Sequence, residues 1–326
     1  DENGNPVPNV PHFDLQNPTY NVARLSDYIF INSPSDPTKY YSYGIYIQDQ
    51  IKWNKFQLLL GGRQEYYNDI SNFDQPDEET TTQHKFLPRV GLVYEATPAI
   101  NLYGTYTESF QPQGVAALNN PQAGGPFDPV TAYMVETGAK GEFFNKRLAA
   151  NLAVYFIENN NILVNANDAI NPDLLIQRGQ EQSKGIELDI NGRILPNLSL
   201  TANYAYNDAR ITESDNPEEI GMRKENAPLH QGGIFGKYTF TGKNLKGIGI
   251  TLGSNFVGKR NTREATLQLP SYVVADAGVS YKVDKFNIRF LVNNIFDKTH
   301  WVGGYSYTRL YPGTPRNYLL SVGYTF

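Results

Sequence analysis

The sequence predicts an all-β protein, an antiparallel transmembrane β-barrel of which about 13 strands are present. Two observations carry this prediction. Apolar and polar residues alternate along segments of about ten residues, which is the length of a tilted strand that crosses a bilayer. The connections between these segments alternate strictly between short turns and long polar loops, as in barrels with turns on one side of a membrane and loops on the other. A strand of a soluble β-sandwich is the alternative for any single segment.

The alternation is clearest at the C-terminus, where residues 317–326 read NYLLSVGYTF. Every second residue, counted back from the end, is apolar or aromatic: Phe326, Tyr324, Val322, Leu320 and Tyr318. The residues between them are small or polar, apart from Leu319. A Phe at the end of the strand fits the aromatic girdle at a membrane interface better than it fits a soluble sheet.

Composition favours strands over helices as the membrane-crossing elements. The 326 residues include 23 Tyr and 17 Phe, and no apolar run approaches the roughly 20 residues of a membrane helix. The mean hydropathy of −0.47 does not argue against a barrel, because apolar residues alternate with polar ones there. The absence of Cys excludes disulfides and thiolate metal sites. A net charge of −5, with no Lys/Arg cluster, argues against a nucleic-acid partner.

The chain divides into a first segment, 1–39, predicted to be a long extracellular loop with at most a short strand around Tyr28–Ile31, and a barrel segment, 40–326. In the barrel segment, each pair of strands is joined by a turn of a few residues and separated from the next pair by a polar loop. The predicted strands are 40–53, 56–66, 85–95, 100–110, 131–142, 147–158, 181–194, 198–211, 229–240, 247–258, 271–283, 286–296 and 317–326.

The odd number of predicted strands is itself informative. Bacterial single-chain barrels have even strand numbers, and here the first and last strands run in the same direction, so they cannot pair antiparallel. An open sheet edge would leave backbone groups unpaired in lipid, at a cost of several kcal/mol for each group. The sequence therefore predicts further strands before Asp1, in a longer precursor that also carries the export signal.

Short phrases along the strands carry a family resemblance, and their joint order is more specific than any one of them. The phrases are YIQDQIK (46–52), LLLGGR (58–63), PRVGLVY (88–94), LYGTYTESF (102–110), ETGAKG (136–141), GIELD (185–189), NNIFDK (293–298) and PR (315–316). Together they resemble the barrel of TonB-dependent siderophore receptors over essentially the whole chain. The phrase FDLQNPTY (13–20) resembles an external loop of the ferrichrome-type branch.

The resemblance implies a barrel of about 22 strands, of which this chain supplies about the last 13, with the plug domain absent. It also implies a receptor and transporter for ferric siderophores in the outer membrane of a Gram-negative-type bacterium. The implied partners are a ferric siderophore, outer-membrane lipid and lipopolysaccharide, and the TonB–ExbB–ExbD complex, reached through the missing N-terminal part. A passive porin, or a receptor for another cargo such as cobalamin or a glycan, is the alternative. A plug domain and a TonB-binding segment upstream would favour the receptor over the porin.

No enzyme is predicted. The four histidines, His12, His84, His230 and His300, are not at metal-ligand spacing, and the sequence contains no phosphate-binding loop or nucleophile elbow. The resemblance implies neither a protein cofactor nor a protein metal site, because the siderophore itself holds the iron. It implies instead that aromatic residues of the upper lumen and external loops contact the ligand. The candidates are Tyr103, Phe110, Trp301, Tyr305, Tyr307, Arg309 and Tyr311.

Two of these candidates have a more specific rationale. Arg309 is suited to an anionic siderophore, since a guanidinium binds carboxylates through paired hydrogen bonds. Tyr311 stands just before the Gly313–Arg316 step that leads into the last strand. For every candidate, packing within a loop or an aromatic girdle is the alternative.

Phe326 is expected to act in barrel assembly. Removal of Phe326 from the full-length protein is predicted to impair its insertion into the outer membrane. The amount of protein in outer-membrane fractions measures this, and an unchanged amount would contradict the expectation.

Overall fold

A computed structural model of the protein describes residues 37–114, 117, 120–166, 168, 170–171, 173–214, 216–262 and 267–326. Most of the predicted loop 1–39, and the short strand predicted around Tyr28–Ile31, lie outside these residues. No helix in the described ranges is long and apolar enough to cross a membrane.

The described residues form strands joined by turns and loops. The strands are β1 (Lys39–Trp53), β2 (Phe56–Ser71), β3 (Glu79–Thr97), β4 (Ile100–Gln111), β5 (Val130–Phe143), β6 (Leu148–Asn165), β7 (Leu175–Leu195), β8 (Leu198–Glu213), β9 (His230–Thr239), β10 (Ile248–Val257), β11 (Arg260–Asn261), β12 (Gln268–Leu269), β13 (Tyr272–Val283), β14 (Phe286–Asn293), β15 (Trp301–Ser306), β16 (Arg309–Pro312) and β17 (Asn317–Tyr324). One 3₁₀ turn, Pro121–Ala123, lies between β4 and β5.

Thirteen of these strands form one open sheet in the order β1 to β10, β13, β14, β17. Every neighbouring pair in this sheet is antiparallel. The other four strands form two small hairpins, β11–β12 and β15–β16, in the loops that follow β10 and β14. The predicted fold class and strand number are confirmed, and β1 and β17 are the two edges of the sheet.

The two ends of the sheet differ as the sequence predicts. At one end the strands are joined by short connections, among them the turn at Asn54, whose positive φ of 52° is tolerated by an asparagine. At the other end lie the long connections: 72–78, 112–129, 166–174, 214–229, 258–271 and 294–316. We refer to these as the turn end and the loop end.

Several strands extend further toward the loop end than the sequence predicts. The loop predicted over 68–83 is reduced to 72–78, because β2 and β3 stay paired through polar residues such as Asn68 and Thr82. The Thr82 hydroxyl donates to the Asn68 side-chain oxygen at 2.7 Å. The loop predicted over 159–180 is likewise reduced to 166–174. Hydrophobic alternation marks only the part of a strand that meets apolar surroundings, so it misses these polar extensions.

The sheet has one apolar and one polar face. On the apolar face, residues that pair across strands are apolar in successive rows, as where Phe290 pairs with Leu320 and Ile250 pairs with Val279. These side chains stay open to the surroundings: Leu252 is 61% exposed and Leu320 is 65% exposed. Among the described residues, the buried apolar side chains are only Ala123, Phe127, Ala153, Ala209 and Leu269. The apolar rows therefore do not meet across a dry core, and an exposed apolar face of this kind is suited to lipid.

Gly138 lies at a point of close contact between neighbouring strands. A Cβ added there would lie 2.2 Å from the backbone oxygen of Leu152 and 2.8 Å from the ring of Tyr103. The Tyr103 ring is itself held by a 2.8 Å hydrogen bond from its hydroxyl to Glu136. At Gly104, on the neighbouring strand, the nearest atom to an added Cβ is 3.9 Å away.

We expect Gly138→Ala to destabilise the barrel by about 1–3 kcal/mol, because a backbone oxygen must move to admit the methyl group. Gly104→Ala is the matched control and is expected to change little. Heat-modifiable electrophoretic mobility of the full-length protein in detergent gives the melting temperature of each variant. Equal melting temperatures for the two variants would contradict this account of the strand packing.

Candidate ligand-binding site

The loop after β14 carries most of the predicted site residues on one hairpin. In β15–β16, Trp301 pairs with Pro312, Gly303 with Tyr311, and Ser306 with Arg309. The hairpin thus brings together five of the seven candidates: Trp301, Tyr305, Tyr307, Arg309 and Tyr311. Their sequence spacing alone did not reveal the hairpin, since its strands are short and its register contains two bulges.

The tyrosines of this hairpin present a partly open aromatic surface. Tyr305 is 41% exposed, Tyr307 is 62% exposed and Tyr311 is 54% exposed. The guanidinium of Arg309 lies 5.7 Å from the centre of the Tyr305 ring, which is a cation–π distance. The surface therefore combines apolar rings, hydroxyl groups and one positive charge, and we refer to these four residues as the aromatic hairpin surface.

The hairpin is held by the two preceding long loops. The side chain of Asn226 accepts a hydrogen bond from the Gly304 backbone N–H at 2.8 Å and donates to the Gly304 carbonyl oxygen at 3.1 Å. Arg260, which is 4% exposed, donates to the backbone carbonyl oxygens of Trp301 and Val302. Neither Asn226 nor Arg260 stands out in the sequence, because each contact links residues far apart in the chain.

The other two candidates lie elsewhere. Tyr103 is near the turn end of β4 and on the polar face, where its hydroxyl binds Glu136 and Lys140 Nζ lies 4.8 Å from its ring centre. Phe110 is seven residues further along, roughly 23 Å away, and shares the apolar side of β4 with Leu102. The structure therefore does not bring Tyr103 and Phe110 together.

A second group of loop contacts lies over β3, β6 and β7. Gln83 donates to the carbonyl oxygen of Phe127 at 2.9 Å, and Gln113 donates to the carbonyl oxygens of Asp128 and Asn161, each at 2.9 Å. These two glutamines are buried, as is the Phe127 ring. The contacts fix the loop 112–129 against the strands, and sequence reasoning missed them because isolated glutamines give no pattern.

The neighbouring loop, 166–174, is tied to the loop 112–129 through Asn171. The Asn171 side chain donates to the Gln122 carbonyl oxygen at 2.7 Å. Within the loop, hydrogen bonds from the backbone amides of Asn171 and Ile170 hold the pKa of the Asp168 carboxyl below its ordinary value. The loop end thus contains two groups of contacts, one among the loops 214–229, 258–271 and 294–316 and the other between the loops 112–129 and 166–174.

The polar face supplies the inner wall below these loops. It contains an open recess of about 410 Å³ whose lining includes the polar side chains of Glu187, Asp189, Asn203, Gln231 and Asn255. Such a wall offers hydrogen-bonding groups to water or to a polar ligand, as the lumen of an outer-membrane barrel does.

The histidines within the described ranges pack against aromatic rings. The ring centres of His84 and Tyr66 are 5.8 Å apart, and those of His300 and Tyr272 are 4.6 Å apart. His230 Nδ1 lies 2.8 Å from the Tyr204 hydroxyl oxygen. His12 lies outside the described residues. Among the residues that are described, no group of three or more His, Asp or Glu side chains is placed to hold a metal ion.

Comparison with known proteins agrees with the architecture. The metal-pseudopaline receptor CntO of Pseudomonas aeruginosa (strain UCBPP-PA14) is 31% identical over 287 residues, which are 85% of this chain and 40% of that protein. The ferrioxamine B receptor of Salmonella typhimurium (strain LT2) is 29% identical over 324 residues, 97% of this chain and 44% of that protein. This chain therefore spans less than half the length of these curated relatives.

Solved structures share the fold. The siderophore receptor PiuA from Acinetobacter baumannii superposes with a TM-score of 0.77 at 22% identity, over 88% of this chain and 43% of that one. The family described as "TonB dependent receptor-like, beta-barrel" matches residues 3–295. This match confirms the resemblance seen in the strand phrases and the predicted location in the outer membrane. By this match and by its two-faced antiparallel sheet, the chain belongs to the TonB-dependent receptor β-barrel family.

Proposed function

We propose that the chain is the C-terminal barrel portion of an outer-membrane receptor that binds and imports ferric siderophores. The aromatic hairpin surface is the observation that carries this proposal. It lies at the loop end, which faces the outside in barrels of this kind, and it offers rings, hydroxyls and Arg309 to a ligand. In the same proposal, residues 40–326 form the barrel segment and residues 1–39 an extracellular loop segment.

The chemistry of the cargo suits such a surface. A ferric siderophore brings its own metal ligands, so the receptor needs contacts to the organic shell rather than to the iron. Tyrosine gives a large amphipathic contact with few rotatable bonds, and arginine gives directional hydrogen bonds to anionic oxygens. A porin needs no aromatic surface of this kind above its lumen, and the names of the curated relatives also favour a receptor for metal chelates.

Import against a gradient requires an energy source, and we propose the TonB–ExbB–ExbD complex as the partner of the intact receptor. Family membership is the support for this partner. We also propose that lipid surrounds the apolar face and that lipopolysaccharide contacts its upper rim. There, Arg210 and Arg223 approach Asp208 at 2.9 Å and 3.8 Å, outside the apolar rows.

Binding of iron-loaded siderophores to the intact, purified receptor tests the proposed function. The ligands tested are iron-loaded ferrioxamine B, ferrichrome and pyoverdine. Metal-loaded pseudopaline and cobalamin are tested in parallel as alternative cargoes. We expect micromolar or tighter binding of at least one ferric siderophore, and uptake of that complex by cells only when TonB is present. Binding of none of the siderophores, or uptake that is independent of TonB, would contradict the proposal.

Tyr311→Ala is expected to weaken binding of the preferred siderophore by roughly tenfold or more, as truncation of an aromatic anchor does. Tyr43→Ala is the matched control. Tyr43 is 53% exposed, close to the 54% of Tyr311, but it lies on the apolar face of β1, where it stacks on Tyr66. Isothermal titration of both variants measures the difference, and equal affinities would exclude Tyr311 from the site.

A further inference from the structure

We propose that Asn226 and Arg260 are positioning residues, which fix the β15–β16 hairpin and so preorganise the aromatic hairpin surface for its ligand. The use of that surface for binding rests on the proposed function. The fixing of the hairpin rests on contacts among the loops alone.

Asn226 acts on the hairpin as a strand partner would. Its side-chain amide satisfies both the N–H and the C=O of Gly304, at 2.8 Å and 3.1 Å. Its own conformation is fixed, since its backbone has a positive φ of 58° and its N–H donates to the Asn261 carbonyl oxygen at 2.8 Å. Only an amide side chain supplies a donor and an acceptor side by side, so neither Asp nor Ala can replace both bonds.

Gly304 is buried at the point where Asn226 binds it. A Cβ at this position would lie 3.0 Å from Thr262 Cγ2 and 3.4 Å from Leu269 Cδ2. Leu269 is 1% exposed. The hairpin therefore rests against the loop that contains β11 and β12.

Arg260 holds the base of the hairpin. Its guanidinium donates to the carbonyl oxygens of Trp301 and Val302, the latter at 2.9 Å, and lies 5.4 Å from the centre of the Tyr272 ring. A buried guanidinium is costly unless polar groups and a ring face compensate it. Here the two terminal nitrogens bind carbonyl oxygens and the group lies near the Tyr272 ring, whereas Nε is buried without a hydrogen-bond partner among the described residues. Lysine has neither the planar fork for two carbonyls nor the flat face for the ring.

Both contacts lie on β15, just before the tyrosines in the chain. Gly304 directly precedes Tyr305, and Gly303 pairs with Tyr311, so a shift of Gly304 displaces both rings. A surface that is already in its binding conformation loses less conformational entropy when the ligand arrives. We therefore expect the loss of either contact to weaken binding without removing any side chain that touches the ligand.

Backbone hydrogen–deuterium exchange of the intact, unliganded receptor tests the proposal directly. In Asn226→Ala, amides in 301–312 are expected to exchange at least tenfold faster, while amides of β10 and β13 are unchanged. Arg260→Lys is expected to give a smaller increase in the same segment. Asn171→Ala is the matched control: it removes a loop–loop hydrogen bond of 2.7 Å to Gln122 and is expected to leave 301–312 unchanged. Unaltered exchange of 301–312 in Asn226→Ala would overturn the proposal.

Titration with ferrioxamine B, ferrichrome and pyoverdine, each iron-loaded, then tests the link to binding. Asn226→Ala is expected to weaken the tightest of these about tenfold, with Asn171→Ala unchanged. Faster exchange without any loss of affinity would overturn the preorganising role. If the wild-type receptor bound none of the three, the proposed function would fail, while the exchange data would still decide whether Asn226 and Arg260 hold the hairpin.

Discussion

The constraint on which the structure depends is that every backbone N–H and C=O of a chain in lipid must be paired within the protein. A sheet meets this requirement through hydrogen bonds between neighbouring strands, and the side chains are then forced to alternate between its two faces. The pairing runs without interruption from β1 to β17, through 13 strands. The division of the side chains between two faces follows from this requirement.

The same constraint explains where irregular structure and polar contacts are found. Within the apolar rows, a loop would leave backbone groups unpaired. In the described part of the chain, the small hairpins β11–β12 and β15–β16 accordingly lie at the loop end. There, water and side chains such as Gln113 and Arg260 can satisfy the backbone carbonyls that leave the sheet. A binding surface for a soluble cargo can be built in this region, because it is fixed by the sheet below and open to solvent above.

The fold was predictable from the sequence and the details of the site were not, for a physical reason. Rows such as Tyr318–Leu320–Val322 are apolar at every second residue, so this alternation reveals the number of strands and their faces, and the alternation of short and long connections reveals their direction. Asn226 and Arg260 each act through two long-range hydrogen bonds, which leave no periodic pattern in the sequence. Phe110 was a candidate because it lies near the loop end of β4. Its side chain belongs to the apolar face of that strand, however, and position along a strand does not determine the face.

The most direct test of this account is the environment of each residue along one strand of the intact receptor. The chain has no Cys, so single cysteines can be introduced from 248 to 257 in β10 and labelled with a nitroxide. In bilayers, collision with oxygen should peak at 248, 250, 252, 254 and 256, and collision with a water-soluble nickel chelate at 249, 251, 253, 255 and 257. The account would be contradicted if the two sets of residues were equally accessible to each reagent, or if the set that includes Leu252 were shielded from both. Either result would show that lipid does not cover the apolar face.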